Sequence, residues 1–279
     1  MRCEVLTRTQ LHPLLPETAT PVRLRTYVQD RLSLLSDDGR RWSVLILPGG
    51  GYGLTSPNEG ERVALAFLAA GVPAFVLDYS VAPDRYPSAL LEAAAALHFI
   101  RSHAADYGAD PHRVAVCGFS AGGHLAGCLS NLHGSPEVGG ALGLSPHEIR
   151  PDAAIFCYSV LTAQPGRCHP GSFETLLGPG AEVPPFLSLE RSVTEHNPPS
   201  FLWCTATDPS VPCDSTLLYA AALREKGVPF EAHIYAKGPH AIILGTRETA
   251  GDESKLDAHV ATWHSLCLEW LHSLEARGA

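Results

Sequence analysis

From residue 40 onward the chain alternates short β-branched or apolar runs with longer stretches of helical periodicity, and this repeat narrows the possible folds sharply. "SVLIL" (43–47) enters a glycine turn, "NEGERVALAFLAAG" (58–71) is a helix stopped by its glycine, and "VPAFVLDYS" (72–80) is a second run. "SALLEAAAALHFIRSHAADYG" carries Ala and Leu at helical spacing, and "RVAVCG" follows a "DP" turn. The pattern resumes with a helix in "AGGHLAGCLSNL", strands in "AAIFCYS" and "SFLWCTAT", a helix over 215–227, a strand in "FEAHIYA" and a last helix over 253–275. Apolar runs without polar alternation belong to strands covered on both faces, so the expectation is an α/β protein: a mostly parallel central sheet with helices on both faces. The 279 residues, 45% of them hydrophobic, suffice for one large domain spanning 1–279. Residues 161–199 break the rhythm with seven prolines around the short helical piece "SFETLLG", and read as a cap or lid insertion over one end of the sheet. One or two leading strands, antiparallel to the rest, are expected over 20–36, with "SDDGR" as a turn.

The chemistry sits where a strand meets a helix. Gly118-Phe119-Ser120-Ala121-Gly122 matches G-x-S-x-G, in which small neighbours allow a strained turn that lifts the serine above the sheet. A serine hydroxyl needs a base, and the base needs an acid to hold its tautomer. Asp208 follows "SFLWCTAT" and His240 follows "FEAHIYA", both at carboxyl ends of expected strands and on the edge that presents Ser120. His233 (in a strand), His124 and His264 (in helices) read as packing or surface residues, Asp214 as a helix cap, and Asp78 as a fallback acid out of the usual chain order. The developing oxyanion calls for backbone donors, which "PGGGY" (48–52) supplies through Gly50 and then Gly51, with the Ala121 amide as partner at a helix start. A phosphate-binding reading of the glycines lacks both G-x-G-x-x-G and Lys-Ser/Thr. Tyr52 and Phe119 are expected to touch substrate, Tyr52 as an exposed ring on which a sugar could stack.

A net charge of −9 and a pI near 5.8 argue against nucleic acid and anionic membrane as partners and leave small neutral substrates. No apolar stretch matches a signal peptide or a membrane span, so the chain reads as cytoplasmic. The eight cysteines are dispersed without CxxC, and the histidines without HxH or HExxH; buried thiols, no metal and no cofactor are expected.

Together "LPGGGY", "NEGERVALAFLAAGVPAFVLDYSVAP", "DPHRVAVCGFSAGGHLAG", "GSFETLLG", "NPPSFLWCTATDPSVP" and "ALREKGVPFEAHIYAKGPHA" resemble the esterase branch of the α/β-hydrolases, which includes hormone-sensitive-lipase-like enzymes and bacterial acetyl and acetylxylan esterases. The resemblance runs from about residue 42 to the C-terminus. It implies the α/β-hydrolase fold, a Ser120, Asp208 and His240 triad, and a glycine-lined oxyanion hole. It also implies a serine carboxylesterase acting on short acyl esters, acetylated sugars or xylan fragments among them. The substrate would be a small-molecule ester, and a homo-oligomer is compatible with the pattern. Cleavage of amides, peptides or formamides by the same triad is the alternative, and a noncatalytic binding module the remote one. Three positions depart from the resemblance: Pro48 where many relatives have His, Ser80 where Arg is expected, and Ala241 where many have Gly.

Overall fold

The computed structural model describes residues 1–30 and 41–275. Eight strands form one sheet: β1 (Val5–Thr7), β2 (Arg23–Tyr27), β3 (Ser43–Leu47), β4 (Ala74–Asp78), β5 (Val114–Phe119), β6 (Ala153–Cys157), β7 (Ser200–Thr205) and β8 (Phe230–Tyr235). Their spatial order is β1-β2-β4-β3-β5-β6-β7-β8, antiparallel at β1/β2 and β2/β4 and parallel throughout the rest. The helices are α1 (Arg8–Leu11), α2 (Glu61–Ala69), α3 (Ser88–Ser102), α4 (Ser120–Leu132), α5 (Pro136–Leu142), α6 (Pro146–Ile149), α7 (Pro170–Leu177), α8 (Asp214–Glu225) and α9 (Thr262–Glu275).

Successive side chains on a strand point to opposite faces, and the core divides accordingly. Leu45, Leu47, Val114, Val116, Phe156 and Leu202 pack with α3, α4 and α8. Val44, Ile46, Cys117, Phe119, Phe201 and Trp203 pack with α2 and α9 on the other side. Every residue of β3, β5, β6 and β7 is therefore buried, whereas β8, at the sheet edge, alternates between exposed and covered positions. The expected mostly parallel sheet is present.

Several boundaries differ from the sequence reading. The last helix starts at Thr262 instead of 253, because Glu253–Lys255 form one 3-10 turn that Asp252 caps by accepting the Ser254 amide at 2.9 Å. Of the leading strands, β2 runs antiparallel to β4 as expected, but β1 lies upstream at Val5–Thr7 and antiparallel to β2. The "SDDGR" turn lies outside the described residues. Among the described residues no helix is long and apolar enough to cross a membrane.

Sheet order also locates the site. From β3 the chain steps outward to β4 and then returns to β5 on β3's other side, so the crevice at the carboxyl ends of β3 and β5 is the switch point where α/β sheets receive ligands. Register pairs Leu47 with Gly118 there, which sets the glycine turn beside Ser120.

Candidate active site

Ser120, the first residue of α4 and directly after β5, has φ 51°, a left-handed conformation that costs a non-glycine residue on the order of 1–3 kcal/mol. Its neighbours explain how the turn closes. A Cβ on Gly122 would lie 2.1 Å from the Leu47 carbonyl oxygen, and one on Gly118 would lie 2.3 Å from that of Gly122. Only glycine lets the first turn of α4 pack this closely on the end of β3.

The Ser120 Oγ lies 2.9 Å from His240 Nε2, and His240 Nδ1 lies 2.7 Å from Asp208 Oδ2. A carboxylate only accepts, so Nδ1 carries the proton and Nε2 is left to accept from the serine hydroxyl. The other Asp208 oxygen accepts the amides of Ser210 (2.8 Å) and Val211 (3.0 Å), which fixes the carboxylate plane. His240 reaches back from beyond β8 because its loop is tied to the end of β7. The Thr205 hydroxyl donates to the Gly238 carbonyl (2.8 Å), the Gly238 amide donates to Thr207 (3.0 Å), and Ala241 turns at φ 56°. The three residues singled out in the sequence are thus joined in one hydrogen-bonded chain.

At the end of β3, Gly50 (φ 128°), Gly51 (φ 62°) and Tyr52 (φ 61°) turn the chain over the serine, and the Pro48 carbonyl accepts the Tyr79 hydroxyl at 2.6 Å. The Gly49 amide donates to Glu59 Oε2 (2.7 Å), while those of Gly50, Gly51 and Ala121 donate to no protein acceptor among the described residues. These are the three amides expected to face an oxyanion.

Two expected substrate contacts are corrected. Tyr52 is 3% exposed, and its hydroxyl donates to His124 Nδ1 at 2.8 Å, so the ring serves packing and is not an open stacking surface. Phe119 is fully buried on the α2/α9 side, beside Tyr158 and Trp263, because residues adjacent on a strand point to opposite faces. The set-aside candidates are occupied elsewhere. His124 donates from Nε2 to the Leu187 carbonyl (3.0 Å), and burial holds it down at about 4, hence neutral. Asp78 pairs with Arg25 (2.8 Å), and His233 contacts Glu231 (2.8 Å) on the edge strand. His264 packs against Phe67 and Trp263. Asp214 is the first residue of α8, not its cap, and lies 3.6 Å from Arg167.

Sequence reasoning missed Glu59, Tyr158 and His169. Glu59 is 2% exposed and also accepts the Tyr158 hydroxyl at 2.7 Å; burial raises its carboxyl above the ordinary range, against the pull of Tyr158, Gly49 and His240. The Tyr158 ring stands edge-on to the His240 imidazole, centroids 5.1 Å apart. His169, next to α7, bonds Ser172 (2.9 Å); burial and the nearby His240 lower its pKa, while Asp208 acts to raise it. No motif marks these three, since their roles exist only once distant loops meet.

Residues 44–244 match the family model described as alpha/beta hydrolase fold. The chain is 36% identical over 228 residues to endo-1,4-beta-xylanase B of Butyrivibrio fibrisolvens, covering 77% of this chain and 34% of that one. It is 28% identical over 231 residues to an acetylxylan esterase of Xylanibacter ruminicola, covering 76% and 46% respectively, so it spans half or less of the length of these two relatives. The crystal structure of an acetyl ester-xyloside bifunctional hydrolase from Caldicellulosiruptor lactoaceticus superposes with a TM-score of 0.77 at 33% identity, over 92% of this chain and 90% of that one. With the strand order, the serine turn and a family match over most of its length, the chain belongs to the alpha/beta hydrolase fold family.

Proposed function

We propose that the chain is a serine carboxylesterase that removes short, acetyl-type acyl groups, with acetylated sugars or xylan fragments as its substrate class. The observation that carries this reading is the Ser120–His240–Asp208 hydrogen-bonded chain beside the amides of Gly50, Gly51 and Ala121. Ser120 Oγ attacks the ester carbonyl while His240 Nε2 takes its proton. The carbonyl oxygen becomes an oxyanion facing the amides, which stabilise it without having to reorient. Collapse breaks the ester C–O bond, and the imidazolium returns the proton to the departing alcohol. Water then repeats the sequence on the acyl-serine, releasing the carboxylic acid and restoring the hydroxyl. Asp208 keeps its negative charge throughout and stabilises the imidazolium.

The 161–199 segment acts as the cap in this reading. It is tied to α4 where the Asn131 side chain donates to the Leu189 carbonyl (2.9 Å), and Ser172 of α7 lies 4.0 Å from the position a Cβ on Gly51 would take. A cover this close to the glycine turn favours a short acyl slot, since a methylene left unburied forfeits about 0.8 kcal/mol. The names of the acetylxylan esterase and acetyl ester-xyloside hydrolase relatives support the acetyl and sugar assignments.

The test is kcat/KM across acetyl, butyryl, octanoyl and palmitoyl nitrophenyl esters, together with acetylated xylo-oligosaccharides and a matched acetanilide. The expected maximum is at acetyl or butyryl, with release of acetate from the oligosaccharide. A maximum at octanoyl or beyond rejects the short-acyl reading, and faster cleavage of the anilide would make the enzyme an amidase.

A further inference from the structure

Glu59 is a buried carboxylate that takes no part in the proton-transfer chain. It ends a single 3-10 turn, Pro57–Glu59; Oε2 accepts the Gly49 amide and Oε1 the Tyr158 hydroxyl, both at 2.7 Å, and the Ser56 side chain is a further partner of the carboxyl. Among the described residues no lysine or arginine pairs with it. Desolvating a carboxylate without a cation is costly, and a glutamine could make the same two contacts at lower cost, its oxygen accepting from Gly49 and its amide donating to a rotated Tyr158 hydroxyl. A strut alone therefore does not account for the charge.

What the charge adjoins does account for it. Tyr158 sits at φ 38° just beyond β6, its amide donating to the Trp203 carbonyl at 2.7 Å, and this sharp turn presents the ring to His240. The positive charge that develops closest to Glu59 during acyl transfer is the imidazolium of His240. The second oxygen meanwhile takes the one amide of the triglycine that is not offered to substrate. Gly49 could hardly be any other residue, because a Cβ there would lie 2.8 Å from Glu59 Oε2 and 2.9 Å from the Ser120 Cβ.

Resting on the acyl-transfer reading above, we propose that Glu59 is a positioning residue. It locks the Gly49 amide so that Gly50 and Gly51 are presented in one conformation. Through Tyr158 it holds the His240 ring, and it adds a second negative charge, after Asp208, in favour of the imidazolium. The groups around His240 are then Asp208 from the loop after β7, Ser120 from α4, Tyr158 from the end of β6, Glu59 from the 3-10 turn and His169 beside α7.

The experiment compares wild type, Glu59→Gln and Tyr158→Phe with p-nitrophenyl acetate, each rate expressed per Ser120 titrated by a fluorophosphonate so that misfolded protein drops out. Glu59→Gln is expected to lower kcat by about 10- to 100-fold, as misplacing a catalytic array does, with KM within about threefold. The acidic limb of its kcat/KM profile should move to lower pH by on the order of half a unit, because losing a negative neighbour disfavours the imidazolium. Tyr158→Phe, which keeps the carboxylate, should lower kcat in the same direction and serves as the test if Glu59→Gln does not fold. A kcat per titrated site and a pH profile equal to wild type in Glu59→Gln, with only a lower Tm, would make the residue a strut and overturn the proposal. So would an unchanged kcat in Tyr158→Phe. Failure of the esterase reading is seen separately, as wild type without acetate turnover. In that event the rate of phosphonylation of Ser120 decides: a drop of about tenfold or more in Glu59→Gln supports the proposal, and an equal rate rejects it.

Discussion

Replacing Asp208 by asparagine alters no volume, yet the hydrogen bonds around it dictate which way the amide turns. Asp208 Oδ1 accepts two backbone amides, from Ser210 and Val211, while Oδ2 accepts from His240 Nδ1. If the asparagine oxygen turned toward His240, its NH2 would face two N–H groups and leave both without an acceptor, at about 1–3 kcal/mol each. The cheaper arrangement keeps the oxygen on the two amides and points the NH2 at His240. Nδ1 must then accept, the ring proton moves to Nε2, and Nε2 can no longer take the Ser120 proton across their 2.9 Å contact. Reversing the tautomer in this way costs serine hydrolases about 10⁴ in kcat, or ~5.4 kcal/mol at 1.36 kcal/mol per tenfold. The assay is kcat on p-nitrophenyl acetate with Tm measured in parallel, and Asp214→Asn is the comparison. Asp214 is half-exposed, and its 3.6 Å contact with Arg167 is worth about 0–1 kcal/mol at most, so that variant should keep its activity. A loss of less than tenfold in Asp208→Asn, at an unchanged Tm, would refute the tautomer argument.

Two further outcomes are expected. Ser120→Ala should lose acyl turnover while folding normally, with a residue of rate on the order of 10³–10⁴ over water, and a fluorophosphonate should label wild type on Ser120 alone, as mass spectrometry of the labelled peptide would read. Glu92→Gln should stabilise the protein at alkaline but not acid pH. Burial lifts the Glu92 carboxyl to about 7 although Oε2 accepts the Ser80 amide at 2.6 Å. A folded-state pKa above the unfolded one means stability is fully present below about 4.5, falls as the pH rises, and is lowest above about 7. The glutamine, which keeps the Ser80 contact, should therefore raise unfolding free energy at pH ~8 by up to ~3 kcal/mol and leave it nearly unchanged at pH ~4. Equal effects at both pH values in urea titrations would contradict the assignment.

The sequence by itself determined the sheet, the serine turn and the order of the three joined residues. Each rests on a local rule: unbroken apolar runs require a strand covered on both faces, and a serine flanked by Gly118 and Gly122 after such a run requires a tight strand-to-helix turn. The carboxyl ends of parallel strands lie on one edge, so Asp208 and His240 could be placed there from position alone. Tertiary structure decided what sequence period could not. The burial of Tyr52 against His124 and the meeting of Glu59 with Tyr158 depend on segments that are distant in the chain. Glu59 and Tyr158 are 99 positions apart and neither belongs to a repeating pattern, because a hydrogen bond across a crevice imposes no period on the residues that make it. Local rules act over a few residues, whereas the surroundings of a buried charge are set by everything the fold packs against it.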